Sequence, residues 1–461
     1  MSEELIVSIS GLRGIVGENL TATTAAEYGC AFGSFLRSRA KGSAGRLTVC
    51  IGRDSRPSGE MIQAGVAAGL CSAGIDVVDV GLVPTPTVGV MLRHLGCVGG
   101  VVVTASHNPT PYNGIKLLLD NGIAPPPDCA KAIRQRFFDK DFETVDSLDC
   151  GHVCSSPEAH DIHIQRVLGI VEAQRIKANA FRVVLDSVNG AGGPITRKLL
   201  EQLGCEVVAV NDEPNGRFAH TPEPIAENLT ALCDLVTQNG AHLGLAQDPD
   251  ADRLAIVDEK GNYIGEEYTL AFAAKLIFSK QSGKAAANLS TSRMIDDIAS
   301  QAGGQVIRTP VGEAHVAGAM IENACVIGGE GNGGVIDLRV GPIRDSLVGA
   351  ALVLQLLAEA GGSVSQMAAE IGGYYMQKEK FAATSEQTKE IVKLVRAAFA
   401  DAHVDTSDGC RLDFEDGWLH LRASNTEPVM RCIVEADDRQ TAEAYLDKVE
   451  QIKERVLGRG Q

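Results

Sequence analysis

"LTVCIGRDSRPSGEMIQAGVAAGLCSAGIDVVDVG", residues 47 to 81, passes from a β-branched strand through a polar loop into a glycine-ended helix, then back into a strand. The same order returns over 181–211, as "FRVVLDSVNG", "PITRKLLEQLG" and "CEVVAVN". It returns again over 285–310, as "AAANLSTS", "RMIDDIASQAGG" and "QVIRTP". Strand–helix–strand crossovers build parallel or mixed sheets covered by helices, so three copies roughly a hundred residues apart predict three similar α/β domains. The copies share a pattern and almost no residues.

The last ninety or so residues read differently. "SEQTKEIVKLVRAAFADA" is an amphipathic helix and "CRLDFEDGWLHLRAS" a hairpin turning at Asp416-Gly417. "PVMRCIVEA" is a further strand and "RQTAEAYLDKVEQIKERVLG" a charged closing helix. Helices on an antiparallel sheet make a smaller α+β domain. The expected domains are 1–153, 154–258, 259–371 and 372–461.

Composition narrows the function. The 461 residues are 44% hydrophobic and 22% charged, as in globular proteins with real cores. A net charge of −17 argues against nucleic acid or an anionic membrane as partner. An anionic ligand would then need cations gathered locally. The twelve cysteines are scattered without a C-x-x-C, which predicts a reduced, cytoplasmic protein without structural zinc. "MSEELIVSIS" lacks the marks of a signal peptide, and "SLVGAALVLQLLA" (346–358) is too short to span a bilayer and reads as a buried helix.

Chemistry concentrates in a few loops. "LGLAQDPDADRLAIVDEKG" (243–261) sets Asp248, Asp250 and Asp252 between two strand-like runs. Three close carboxylates repel, and a hard divalent cation relieves them. An EF-hand fails because Arg253 stands where its sixth-position glycine is required, although Glu259 falls at the twelfth. A phosphatase D-x-D with Asp248 as nucleophile leaves Asp252 and Arg253 unexplained. A solvated acidic turn is the plain alternative, and metal binding is favoured over it.

"TASHNPTPYNGIK" (104–116) carries Ser106 after an apolar strand, in a loop stiffened by Pro109 and Pro111. The G-x-S-x-G elbow of hydrolases is absent. Neighbouring residues of an extended segment face opposite ways, which disfavours His107 as a base for Ser106. Lys116, on the returning strand, is the other acid/base candidate. In "RASNTEPVMR" (422–431), Arg422, Ser424, Asn425, Thr426 and Arg431 suit a phosphate. "GGEGNGG" (328–334) is neither a P-loop nor a dinucleotide fingerprint; Glu330 and Asn332 on a bare loop suit sugar hydroxyls. "GLRGIVG" (11–17) and "GRDSRPSG" (52–59) add arginines among glycines, with Arg53 and Asp54 read as loop-orienting. Each of these loops, taken alone, also has an ordinary structural reading.

Together the segments resemble the α-D-phosphohexomutase superfamily, which includes phosphoglucomutase, phosphomannomutase and phosphoglucosamine mutase. The matching stretches run from residue 11 to 431, so the resemblance covers nearly the whole chain. It implies three similar mixed-sheet α/β domains plus a smaller C-terminal α+β domain around a central cleft. It implies Ser106 as phosphoserine, with Asp248, Asp250, Asp252 and a phosphoserine oxygen holding Mg²⁺. Arg13 and Arg253 would flank the transferring phosphoryl group, with Lys116 or His107 as acid/base. Glu330 and Asn332 would meet the sugar, and Arg422, Ser424, Asn425 and Thr426 the idle phosphate, supported by Arg431. The implied reaction interconverts hexose 6-phosphate and 1-phosphate through a hexose 1,6-bisphosphate, in a monomer or homodimer.

Three positions in two segments depart from the commoner pattern. Asn332 and Gly334 stand where many members have serine and histidine, and Glu313 where relatives often have histidine or aspartate. The Asn-Gly-Gly form resembles archaeal-type members. Glucosamine phosphate is the expected substrate, with Glu313 facing the hexosamine ammonium, and mannose or glucose phosphate the alternatives. A phosphoserine-dependent phosphatase and a non-catalytic sugar-phosphate sensor are the readings from other classes.

Overall fold

The structure, a computed structural model, describes residues 5–8, 11–40, 45–423 and 429–458. The opening stretch forms the strand Thr48–Arg53, the helix Gly59–Ser72 and the parallel strand Asp76–Leu82. Its counterparts are Arg182–Asp186, Gly192–Gln202 and Glu206–Val210, then Lys284–Asn288, Met294–Gln301 and Gln305–Thr309. All three crossovers expected from the sequence are present. Four sheets result, of seven, four, four and five strands. The first three mix parallel and antiparallel pairs, and the fourth is antiparallel throughout.

In each of the first three sheets one buried parallel strand is followed directly by an antiparallel neighbour. The pairs are Gly99–Val103 with Tyr112–Leu119, Leu243–Gln247 with Leu254–Val257, and Ile327–Glu330 with Gly334–Ile336. The loops joining them are the serine, aspartate and sugar loops. All three therefore occupy one topological position, the turn at the carboxyl end of a buried parallel strand, where α/β sheets place their ligands. The fourth loop likewise joins two antiparallel strands, Gly417–Ala423 and Val429–Ala436.

The first domain has its own apolar core, around Phe32, Ile51, Ile62 and Leu70. The second and third share a larger one in which helix Ser346–Ala360 is buried, as its apolar run, interrupted only by Gln355 up to residue 358, predicts. The C-terminal sheet and its two helices close on a separate core around Ile391, Leu419, Val434 and Val449. The strand Val153–Ser155 pairs with Asp76–Leu82, so the first sheet runs two residues past the boundary expected at 153. That strand is exposed and short, and its sequence carries no strong strand signal. Among the described residues no single helix is long and apolar enough to cross a membrane.

Candidate active site

Ser106 lies just beyond the strand Gly99–Val103, buried, with a left-handed backbone (φ 50°). A residue with a Cβ pays about 1–2 kcal/mol for that conformation, so surrounding contacts must impose it. The Ser106 amide donates to Thr104 Oγ1 at 2.9 Å, and Thr104 Oγ1 donates to Asp54 Oδ2 at 2.6 Å. Arg56, fully buried, donates to the carbonyls of Ser106 and Asn108 (both 2.6 Å), Pro109 (2.9 Å) and Tyr112 (3.0 Å). Its Nε bonds Asp54 Oδ2 at 3.0 Å. Asp54 thus orients the loop through Arg56, a residue that sequence reasoning passed over. Arg53 instead reaches out to Glu60 at 2.7 Å.

The aspartate loop meets this loop. Ser106 Oγ donates to Asp248 Oδ2 at 3.0 Å, across 142 residues of chain. Asp248 Oδ1 accepts from the amides of Asp252 (3.1 Å) and Arg253 (3.2 Å), helped by Ala251 in a left-handed conformation (φ 52°). Asp250 Oδ2 accepts from Thr85 Oγ1 (2.6 Å) and Lys116 Nζ (2.7 Å). Lys116 also lies 3.6 Å from Asp252. One oxygen from each aspartate falls within 4.8 Å of the others, and all three residues are buried. Asp250 Oδ1 and Asp252 Oδ1 have no hydrogen-bond partner. Burial, then the charges of Asp252 and Asp250, push Asp248 well above the usual carboxylate range. Buried oxygens without donors, on three hard ligands, fit a divalent cation such as Mg²⁺.

His107 corrects one expectation. Because Ser106 is left-handed rather than extended, the imidazole does not point away, and its Nδ1 comes to 3.3 Å from Ser106 Oγ. Burial, then Arg253 and Arg13, hold the His107 pKa well below its usual value. Lys116 shows the opposite balance: burial opposes its charge, but Asp250 and Asp252 outweigh it and raise the pKa. Arg13 donates to Asn108 Oδ1 at 3.2 Å, in the serine loop. Arg253 stands 3.9 Å from Asp252 and 3.6 Å from Glu223.

The sugar loop approaches from the third domain. Glu330 Oε1 accepts from Asn288 Nδ2 (2.7 Å) and the Gly312 amide (3.0 Å), and Oε2 from Arg344 Nη1 (2.6 Å). Burial opposes the charge of Glu330, yet Arg344 and these bonds hold its pKa below the usual value. Asn332 Oδ1 is buried without a partner. Glu313, expected to meet a substrate ammonium, has its Oε2 bound to Arg344 Nε at 3.1 Å and to the Arg344 amide at 3.0 Å. It serves an arginine of its own chain.

On the fourth sheet, Arg422 pairs with Asp408 at 3.2 Å and sits directly opposite Arg431 on the next strand. Like charges set opposite one another repel, which an anion would relieve. Ser424, Asn425 and Thr426 lie outside the described residues. Ser106, His107, Lys116, Arg13, Arg253 and the three aspartates are thus gathered at one point. Glu330 is tied to them through Arg344. Arg56, Thr85 and Arg344 were missed because only contacts between distant segments reveal them.

Family models described as phosphoglucomutase/phosphomannomutase α/β/α domains I, II and III match residues 5–144, 161–261 and 265–374. The model of the C-terminal domain matches 380–452. The chain is 38% identical over 445 residues to a Thermococcus kodakarensis protein named phosphoglucomutase/phosphomannomutase, covering 95% of this chain and 96% of that one. It is also 38% identical over 452 residues to a "Probable phosphoglucosamine mutase" of Methanopyrus kandleri, covering 97% of each. Among solved structures, a phosphoglucomutase/phosphomannomutase family protein of Burkholderia thailandensis superposes with a TM-score of 0.85 at 29% identity, covering 98% of each chain.

Proposed function

The chain belongs to the phosphoglucomutase/phosphomannomutase family, the α-D-phosphohexomutases, and from that premise we propose Ser106 as the phosphate carrier of its mutase reaction. The enzyme interconverts hexose 6-phosphates and 1-phosphates. The observation that carries the site assignment is the 3.0 Å contact between Ser106 Oγ and Asp248 Oδ2, beside two aspartate oxygens that lack donors.

In this reading, phosphorylated Ser106 gives its phosphoryl group to the free hydroxyl of a hexose monophosphate. The serine P–O bond breaks as a sugar P–O bond forms, and the resulting 1,6-bisphosphate returns its other phosphate to Ser106. Asp248, Asp250 and Asp252, with a phosphoserine oxygen, would hold Mg²⁺, which supplies charge neutralisation for the transferring group. Arg13 and Arg253 add fixed positive charge at the same place. Lys116 Nζ, 2.7 Å from Asp250, and His107 Nδ1, 3.3 Å from Ser106 Oγ, are the acid/base candidates beside the transferring group. Glu330 and Asn332 would orient the sugar. Arg422 and Arg431, with Ser424, Asn425 and Thr426, would hold the phosphate that is not reacting.

Glucosamine phosphate is the preferred substrate in this reading, supported by the naming of the Methanopyrus relative and by the Asn-Gly-Gly sugar loop. Glu313 Oε2 is engaged by Arg344, so a contact to the hexosamine ammonium would fall to Oε1. The enzyme would act in the cytoplasm. Ser106→Ala is expected to lower mutase turnover by about 10³-fold or more with the melting temperature retained. Near-normal turnover in that variant would sink the assignment. A substrate series on glucosamine, mannose and glucose 6-phosphates decides the sugar by kcat/KM.

A further inference from the structure

Arg344 lies between the strand Gly334–Ile336 and the helix Ser346–Ala360, and the fold clamps its backbone on both sides. Ile343 is buried in the first domain among Val83, Val88 and Met91. Asp345 caps the helix at the amides of Leu347 and Val348, and its Oδ2 bonds His163 Nε2 at 2.7 Å. The stem of Arg344 therefore starts from a fixed point.

Its guanidinium ends among three carboxylates drawn from three segments. Nη1 reaches Glu330 at 2.6 Å, Nη2 reaches Asp252 Oδ2 at 2.5 Å, and Nε reaches Glu313 at 3.1 Å. A planar fork can serve three acceptors in fixed directions, as an ammonium cannot. One of these acceptors is in the sugar loop and another in the aspartate loop. The two segments also meet through the Leu254 amide, which donates to the Gly333 carbonyl at 3.0 Å, but Arg344 is what bonds the carboxylates of Glu330 and Asp252.

Gly334 belongs to the same arrangement. A Cβ built there would lie 2.2 Å from Arg344 Cδ and 2.8 Å from Cγ, with Asn332 Oδ1 next at 3.1 Å. Gly334 does not adopt a positive φ, so its backbone does not demand glycine. What demands it is the Arg344 stem crossing that space.

We propose that Arg344 is a positioning residue of the mutase, fixing sugar-loop Glu330 relative to metal-loop Asp252, and that Gly334 is a glycine to let it through. The inference rests on the reading above, in which Glu330 meets the sugar and Asp252 the metal. It adds that the two are set by one side chain. Removing the arm should then disturb both the affinity for Mg²⁺ and the KM for sugar phosphate. A bulkier residue at 334 should act by displacing the arm.

The test uses the full chain with Arg344→Ala, Arg344→Lys, Gly334→Ala and the double variant Gly334→Ala/Arg344→Ala. Mg²⁺ affinity is read by calorimetry, and KM and kcat by mutase assay. Arg344→Ala is expected to weaken Mg²⁺ binding by about tenfold and raise KM by at least as much, as loss of a partner behind a metal ligand does. Arg344→Lys should recover only a minor part of each loss. Gly334→Ala should mimic Arg344→Ala, yet cost much less in the Arg344→Ala background, because the stem that makes the two shortest contacts is gone and only the 3.1 Å approach to Asn332 Oδ1 remains. Unchanged Mg²⁺ affinity and KM in Arg344→Ala would overturn the proposal, as would additive losses in the double variant. If Arg344→Ala does not fold, Arg344→Lys and Gly334→Ala decide on the same two readouts. Failure of the underlying reading looks different: the unmodified protein would then lack mutase turnover or bind no Mg²⁺.

Discussion

Arg56 donates to the carbonyl oxygen of Ser106 at 2.6 Å, and the same guanidinium holds the carbonyls of Asn108, Pro109 and Tyr112. The serine loop is thus wound around a buried cation, and the left-handed Ser106 is one consequence. Arg56→Met would leave buried Asp54 unpaired and four carbonyls without this donor. We expect a loss of about 3 kcal/mol in urea denaturation, and about 10²-fold in kcat from the misplaced serine. Arg56→Lys keeps charge without the fork and should restore stability better than turnover.

Thr85 supports Asp250 from the first domain, with Oγ1 donating to the carboxylate at 2.6 Å and its amide to the Asp250 carbonyl at 2.9 Å. Chelation should abolish turnover and added Mg²⁺ restore it. Thr85→Val should raise the Mg²⁺ concentration for half-maximal activity by about tenfold. An unshifted Mg²⁺ curve would remove Thr85 from the metal's support.

Thr87, His163 and Asp345 form a buried chain across three domains, with Thr87 Oγ1 2.8 Å from His163 Nδ1 and His163 Nε2 2.7 Å from Asp345 Oδ2. His163→Ala deprives a buried carboxylate of its partner and opens a cavity. The expected loss is about 3 kcal/mol, measured by urea denaturation at neutral pH. Asp345→Asn keeps an acceptor at the helix cap and should cost less.

Glu267 supplies a pH test. Burial raises its carboxyl from 4.5 to about 8, against the pull of Lys378, which lies 3.5 Å away. The Ser292 amide also favours the anion, whereas Glu435 and Glu266 disfavour it. A raised carboxylate pKa means the folded state keeps a proton that the unfolded chain releases. Its contribution is complete below about pH 4.5 and is lost as pH climbs to about 8. Glu267→Gln has no such proton to lose. The stability of the unmodified protein relative to this variant should fall by up to about 1.4 kcal/mol per pH unit across that window. Parallel pH profiles for the two proteins would contradict it.

Much of this was legible in the sequence because it is local. Crossover rhythm, the apolar helix at 346–360 and the spacing of Asp248, Asp250 and Asp252 each need only a few consecutive residues. His107 was misjudged for a related reason: alternation of side chains holds for extended backbone, and contacts from Arg56 and Thr104 make Ser106 left-handed. Arg56, Thr85 and Arg344 act through partners in distant segments, 50 to 165 residues away in the bonds to Ser106 and Asp250. Glu313, read from the sequence as facing a substrate ammonium, has Arg344 on its Oε2, a partner 31 residues away that no local pattern reveals. Ser424, Asn425 and Thr426 lie outside the described residues, so Arg422 and Arg431 alone represent their loop.

The separate apolar core of the fourth domain has a further consequence. That domain meets the third through groups that water can also satisfy: Lys378 with Glu266, Ser290 with His420, Arg293 with Glu435 and Arg411 with the Leu289 carbonyl. Of these only Lys378 with Glu266 is an ion pair, which salt weakens, whereas the bonds of buried His420, Glu435 and Arg411 are largely shielded from it. Ionic strength would therefore act on that seam first at Lys378 and Glu266, and, if the fourth domain holds the idle phosphate as proposed, would reach that grip only through this one pair.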